Sequence, residues 1–229
     1  DAALAALDCK TGETLWKCPG HDPGYGNLIV GTFGGKRQIV GHDLKTLGGW
    51  DIETGRRLWT HKPLADENHN VPAPVQVGEY LLAASQNNGA RLYEFADDGT
   101  IIQQPIAVNI DFAPEITTPV FIDGVIWGIS KNGLMCLDPA EGLKEIWTAK
   151  EEPFTDYAAF IPGDGRLLAV LKNAAMTVLP SRPQKDFVPQ TTPLFDFKTE
   201  IWSKPAMISN KLFLRSERAA VCILLKAGD

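Results

Sequence analysis

No stretch of this sequence is apolar for long enough to cross a membrane as a helix; its apolar runs are of strand length. Nor is there an excess of basic charge. The formal net charge is −6, which argues against the basic face that nucleic-acid binding requires. Histidine and cysteine are sparse, four of each. His21, His42, His61 and His69 share no metal-ligand spacing, so no metal site is expected. Cys9, Cys18, Cys136 and Cys222 form neither a C-x-x-C motif nor an adjacent pair. A Gly-x-Ser-x-Gly nucleophile elbow is missing. Gly31-Thr32-Phe33-Gly34-Gly35 lacks the Lys-Ser/Thr ending of a phosphate loop. Sustained 3.6-residue periodicity is absent as well, so helix should be scarce.

What the chain does have is a repeat. Leu7-Asp8-Cys9-Lys10-Thr11-Gly12-Glu13-Thr14-Leu15-Trp16 returns as Trp50-Asp51-Ile52-Glu53-Thr54-Gly55-Arg56-Arg57-Leu58-Trp59. A looser copy runs from Leu137-Asp138 through Gly142 to Trp147, and a fourth, around Gly99, has lost both Asp and Trp. The turn glycines at 12, 55, 99 and 142 are spaced by 43, 44 and 43 residues, and Gly228 lies 86 further on. Pro74, Pro119 and Pro205 keep the same beat, with gaps of 45 and 86. A period of this size with short strands between turn signals predicts an all-β fold, a β-propeller of four-stranded antiparallel blades. Asp-x-x-Thr-Gly between apolar runs is hairpin chemistry. The carboxylate accepts from turn amides, and Gly supplies the positive φ. The following Trp is large and flat enough to fill the gap between neighbouring sheets. Asp8, Gly12 and Trp16, Asp51, Gly55 and Trp59, and Asp138, Gly142 and Trp147 are therefore read as structural docking residues.

This motif resembles the tryptophan-docking repeat of the pyrroloquinoline-quinone-like propellers. That superfamily includes quinoprotein alcohol dehydrogenases. It also includes proteins that keep the repeat and bind no quinone, such as an envelope assembly lipoprotein. For an enzyme member the resemblance implies pyrroloquinoline quinone, a calcium ion held by Glu, Asn and Asp, a catalytic Asp, and a disulfide of adjacent cysteines. Glu115, Asn70 and Asp156 are of the right type for calcium, but no adjacent cysteines exist, and no catalytic residue is assigned. The expectation is a protein without cofactor, periplasmic or secreted by analogy with exported bacterial members.

Along the chain, one domain over 1–229 is expected, with blades near 1–19 (partial), 27–62, 72–106, 116–150, 157–197 and 204–229 (partial). The third blade's outer strand is placed at 100–106 and the fifth's within 186–197. Residues 1–7 already read as a blade's third strand, so the chain is expected to be a fragment or processed product of a longer propeller. No signal peptide is visible. Cys136 and Cys222 each precede a repeat glycine by six residues and are expected as buried fillers. Cys9 and Cys18 flank one hairpin with an offset that disfavours a disulfide. His42 and His61 read as satisfied structural residues.

In a propeller, the loops before each innermost strand and those between second and third strands line a funnel. Tyr25, Asn27, His69, Asn70, Glu115, Thr117, Asp156, Tyr157, Trp202 and Lys204 are the candidate binding residues there. The leading expectation is a non-catalytic scaffold offering this polar rim to a protein or peptide. A quinoprotein oxidoreductase and a propeller that binds glycan or another small ligand are the alternatives. Oligomeric state is left open.

Overall fold

The computed structural model describes residues 3–66 and 70–225, and among them the regular structure is β throughout, with no helix to cross a membrane. The strands fall into six sheets in sequence order. The first pairs β1 (Leu4–Leu7) with β2 (Thr14–Cys18). The second holds β3 (Ile29–Phe33), β4 (Lys36–His42), β5 (Leu47–Asp51) and β6 (Arg57–His61), and the third β7 (Val75–Val77), β8 (Tyr80–Ser85), β9 (Gly89–Tyr93) and β10 (Ala107–Asn109). The fourth holds β11 (Val120–Ile122), β12 (Val125–Ser130), β13 (Gly133–Asp138) and β14 (Lys144–Ala149), and the fifth β15 (Ala158–Gly163), β16 (Arg166–Leu171), β17 (Ala175–Pro180) and β18 (Thr191–Pro193). The sixth has three strands, β19 (Ala206–Ile208), β20 (Lys211–Arg215) and β21 (Ala220–Leu224). Every pairing is antiparallel between sequence neighbours, the meander of a propeller blade.

The third sheet's outer strand is not at 100–106. Ile101 makes only an isolated bridge to Phe95, and the strand proper is Ala107–Asn109 against Ala90–Leu92. The run 103–106, with Pro105, lies between them. Both central residues of the hairpin turns Gly34-Gly35, Asp123-Gly124 and Asp164-Gly165 have positive φ, as type I′ turns require.

The repeat motif forms one turn twice, with the Gly12 and Gly55 amides donating to the Asp8 and Asp51 carbonyls, and a variant one residue longer at Asp138, where the Gly142 amide donates to the Pro139 carbonyl. Asp8 Oδ1 accepts from the amides of Lys10 and Thr11, both at 2.8 Å, and Asp51 Oδ1 from those of Glu53 and Thr54 at 3.1 and 2.8 Å. Asp138 Oδ1 takes the amide of Ala140 at 3.0 Å. Thr11, Thr54 and Arg182, respectively, lead in holding these three carboxyls below the usual range. Each register slips just before the Asp, between Ala6 and Leu7, Gly49 and Trp50, and Cys136 and Leu137. A bulge there re-aims the next side chain into the turn.

The core is a set of seams, each built by two neighbouring sheets. One buried cluster joins Phe33, Val40, Leu47 and Trp59 to Leu81, Tyr93 and Ile101. A second joins Leu82, Ala90 and Leu92 to Ile126, Met135 and Leu137. The largest joins Trp127, Leu134 and Trp147 to Leu167, Leu171 and Leu179, and a fourth links Leu168 and Val170 to Leu212 and Leu214. Each of these seams takes residues from two sheets, so neighbouring sheets depend on one another for burial.

Indoles and amides stitch the seams at the docking-turn end. Trp16 Nε1 donates to the Ile52 carbonyl at 3.3 Å. Trp59 reaches the third sheet through a relay: its Nε1 donates to Gln38 Oε1 at 2.6 Å, and Gln38 Nε2 donates to the Gly99 carbonyl at 2.9 Å. Where the third sheet has lost its Trp, Asn109 Nδ2 donates to the Leu143 carbonyl at 2.9 Å. Trp127 and Trp147 of the fourth sheet donate to Ser181 at 2.8 Å and Phe187 at 3.0 Å. The irregular segment after β17 is thus where two indoles dock.

The four cysteines are free. Cys136 is buried, which pushes its thiol up to about 12. Cys222 is exposed, contrary to expectation. It shares a register position with Cys136, but its face of the sixth sheet is not covered by a further sheet among the described residues.

His42 also departs from expectation. Its Nδ1 is buried with no partner, whereas His61 bonds Gln103 Oε1 at 2.8 Å and the Tyr93 hydroxyl at 3.0 Å. Burial, reinforced by His61 and opposed by Asp43, holds His42 down to about 4 against an ordinary 6.5. The unfolded chain therefore takes up a proton near pH 6.5 that the folded one refuses until about pH 4. Stability should fall as pH drops through that window. In urea titrations, His42→Gln should flatten this decline; an unchanged slope would remove His42 as its cause.

Candidate functional site

Strand ends alternate, so the entry segments before β7, β11, β15 and β19 and the loops after β4, β8, β12 and β16 share one end of the molecule. Several polar groups there hold that end together. Asn88 Nδ2 and Oδ1 clasp the Ala65 carbonyl and amide, each at 2.9 Å, and Asn132 Nδ2 donates to the Asp111 carbonyl at 2.7 Å. Asp43 is held below its usual range: burial would raise it, but bonds from Lys45, Thr46 and Arg57 outweigh that.

The candidate residues divide accordingly. Asn70 is buried, with φ of 50°, and its Nδ2 donates to the carbonyls of Asp43 and Leu44 at 2.9 and 3.2 Å. Thr117 is buried and accepts from the Ala158 amide at 3.2 Å. Both are ties within the fold. Tyr25 and Asn27 are exposed on the entry before β3 and Glu115 on the entry before β11, and Lys204 is exposed beside the sixth sheet. His69 lies outside the described residues.

Asp156, Tyr157 and Trp202 do come together, around a residue that sequence reading missed. Lys172, in the loop after β16, donates to Asp156 Oδ2 at 2.6 Å and lies 4.0 Å from Glu200 Oε1. Its Nζ sits 4.7 Å from the centre of the Trp202 ring. Asp156 foremost holds this ammonium above its ordinary value, with Glu200 and Glu152 adding to the effect. Trp202 stacks on the buried Tyr157 with centroids 5.7 Å apart, and its Nε1 donates to Glu200 Oε2 at 3.0 Å. The backbone fixes the group: the Lys172 amide donates to the Tyr157 carbonyl at 2.9 Å, and the Lys172 carbonyl accepts from Ile201 at 2.8 Å. One loop residue thereby gathers two blade entries. The signal for it was Leu171-Lys172-Asn173, in register with Ser130-Lys131-Asn132 one repeat earlier.

Next to this group opens a cleft of about 290 Å³, lined by Ile116, Pro119 and Val120 from the fourth sheet's entry, Tyr157, Phe160 and Pro162 around the fifth, and Lys204 and Pro205 before the sixth. Its wall is chiefly apolar. The calcium set of Glu115, Asn70 and Asp156 does not fit. Asn70 Oδ1 is buried and, among the described residues, without a hydrogen-bond partner, but Asp156 is paired with Lys172 and Glu115 is exposed on another entry, so the three do not form one ligand set. No group of three His, Cys, Asp or Glu among the described residues is placed to hold a metal ion.

The family model described as outer membrane protein assembly factor BamB matches residues 1–102. Among solved structures, BamB from Moraxella catarrhalis is similar, with a TM-score of 0.53 at 16% identity over 95% of this chain and 77% of that one. The computationally designed protein Ika8 is similar with a TM-score of 0.67 at 13% identity, over 98% of this chain and 66% of that one. At these identities the likeness to both is one of fold. No curated protein matches the sequence.

Proposed function

We propose, for a chain whose repeats are those of the PQQ-like β-propellers, a non-catalytic scaffold function: its polar rim receives a protein or peptide in the bacterial envelope or exterior. The observation that carries this reading is the character of the gathered group. Lys172, Asp156, Glu200 and Trp202 satisfy one another and leave a half-exposed indole beside an open apolar cleft. A surface of that kind suits an aromatic-anchored contact with a larger partner. No resident cofactor is part of the proposal.

Two measurements test it. Replacing Lys204 with a photoreactive amino acid should yield a discrete protein crosslink in the source cell. The same replacement at Lys36, the first residue of β4 beside the hairpin turn at the opposite end, should not. Adding pyrroloquinoline quinone and calcium should leave the melting temperature unchanged, since any ligand that favours the folded state raises it. A saturable rise would favour the oxidoreductase instead. The half-exposed Trp202 also suits a sugar ring, and glycan-array binding abolished by Trp202→Ala would favour a glycan-binding propeller.

A further inference from the structure

We infer that the seam between the second and third sheets holds one monovalent anion of halide size, chloride by chemical class, in a small cavity between His42 of β4 and Arg91 of β9. The inference concerns the interior of the domain and does not depend on what the rim receives.

The cavity follows from the pairing of the strands. His42, Leu47 and His61 are cross-strand neighbours at the entry end of the second sheet, and Ala83 and Arg91 are neighbours on the third. Cross-strand neighbours share a face, so the two rows meet across the seam that also buries Tyr93. Between them lies a cavity of about 20 Å³, lined by both His42 and Arg91. That is room for one small species, since a single water needs about 10–15 Å³. A carboxylate or a phosphate is too large for it.

Two polar atoms are left over there. His61 spends both ring nitrogens, on Gln103 and on the Tyr93 hydroxyl. Arg91 Nε and His42 Nδ1 are buried and, among the described residues, have no hydrogen-bond partner. Charge then selects between a water and an anion. A guanidinium stays protonated at any working pH, and an unpaired charge is costly to bury. Other cations in this fold are paired, Arg57 with Asp43, Lys172 with Asp156 and Arg182 with Asp138. Arg91 is partly buried, has no ion pair among the described residues, and faces a cavity with no Asp or Glu in its wall. A water would satisfy the orphaned N–H and leave the charge unanswered; a halide answers both. It accepts from Arg91 Nε and, in the tautomer protonated at Nδ1, from His42. Burial keeps that imidazole neutral down to about pH 4, so one positive charge meets one negative charge. Held from both sides, the ion ties the entry ends of the second and third sheets together.

The test compares thermal melts of the full chain in sodium chloride and in sodium gluconate at equal ionic strength, gluconate being too large for the cavity. A ligand held only by the folded state raises the melting temperature. Replacing gluconate by chloride should raise it by roughly 3–5 °C for each tenfold increase above the chloride dissociation constant. Arg91→Gln should lose this chloride response, while Arg37→Gln, exposed near the opposite end of β4, should keep it. Crystals soaked in bromide should give an anomalous peak within hydrogen-bond reach of Arg91 Nε, a readout that stands even if Arg91→Gln does not fold. Equal melting in the two salts, a chloride response unchanged in Arg91→Gln, or a cavity that holds a water and gives no bromide signal would overturn the inference.

Discussion

Trp127→Ala should cost about 3–5 kcal/mol of folding free energy, the usual toll of deleting a large aromatic from a packed interior. The indole is fully buried at the seam of the fourth and fifth sheets. Its ring lies 5.4 Å from that of Trp147, and its N–H satisfies the Ser181 carbonyl. Removing it opens a void between two sheets that cannot collapse without moving the whole seam. Trp16→Ala should cost far less, about 1 kcal/mol, because that ring is only partly buried and its bond to Ile52 is the longer one, 3.3 Å. Urea denaturation of both variants separates them. If Trp127→Ala does not fold, Trp127→Phe keeps most of the bulk and should lose about 1–2 kcal/mol for the carbonyl left unpaired. Equal losses for Trp127→Ala and Trp16→Ala would contradict the seam picture.

Gly34→Ala should destabilise by about 3 kcal/mol, and its neighbour Gly35→Ala by about 1 kcal/mol. Both have positive φ, 52° and 73°, so both substitutions carry the left-handed penalty. Only at Gly34 does an added Cβ meet something, the Ala96 carbonyl oxygen 1.9 Å away, while at Gly35 it meets open space. The obstruction is backbone of the adjoining sheet, which a rotamer change cannot relieve. For a domain of this size each kcal/mol lowers the melting temperature by roughly 2–4 °C. Thermal melts should therefore show a large drop for Gly34→Ala and a small one for Gly35→Ala. A small drop for both would mean that the second and third sheets are not in contact at that turn.

These two cases show where local sequence runs out. That Gly34 and Gly35 form a tight turn follows from two glycines between apolar runs. That one of them touches the next sheet does not. Likewise the docking turns at Asp8, Asp51 and Asp138 are readable because the carboxylate and the amides it accepts from are two or three residues apart. The route by which Trp59 reaches its neighbour is not readable, because Gln38 intervenes from a strand 21 residues earlier. Trp127 carried no docking signature, sitting on the second strand of its sheet rather than four or five residues after a turn glycine.

The candidate site divides along the same line. Its polar residues were found by their position at blade entries, which the repeat fixes. Which of them are free was not legible. Asn70 and Thr117 looked like Asp156 and Tyr157 in sequence, yet the first two are ties inside the fold. Lys172 was overlooked because its partners Asp156 and Glu200 lie 16 and 28 residues away, on two different entries.

The sequence by itself determined the repeat length, the antiparallel strands, the turn chemistry and the end of the molecule where entry loops collect, because each depends on contacts within a few residues or on a period. Only the tertiary structure decided which indole meets which carbonyl, which entry residues are consumed, and that a lysine, two carboxylates and a tryptophan converge beside an apolar cleft. Those outcomes depend on the rotation from one sheet to the next, a quantity that alternation along a strand does not encode.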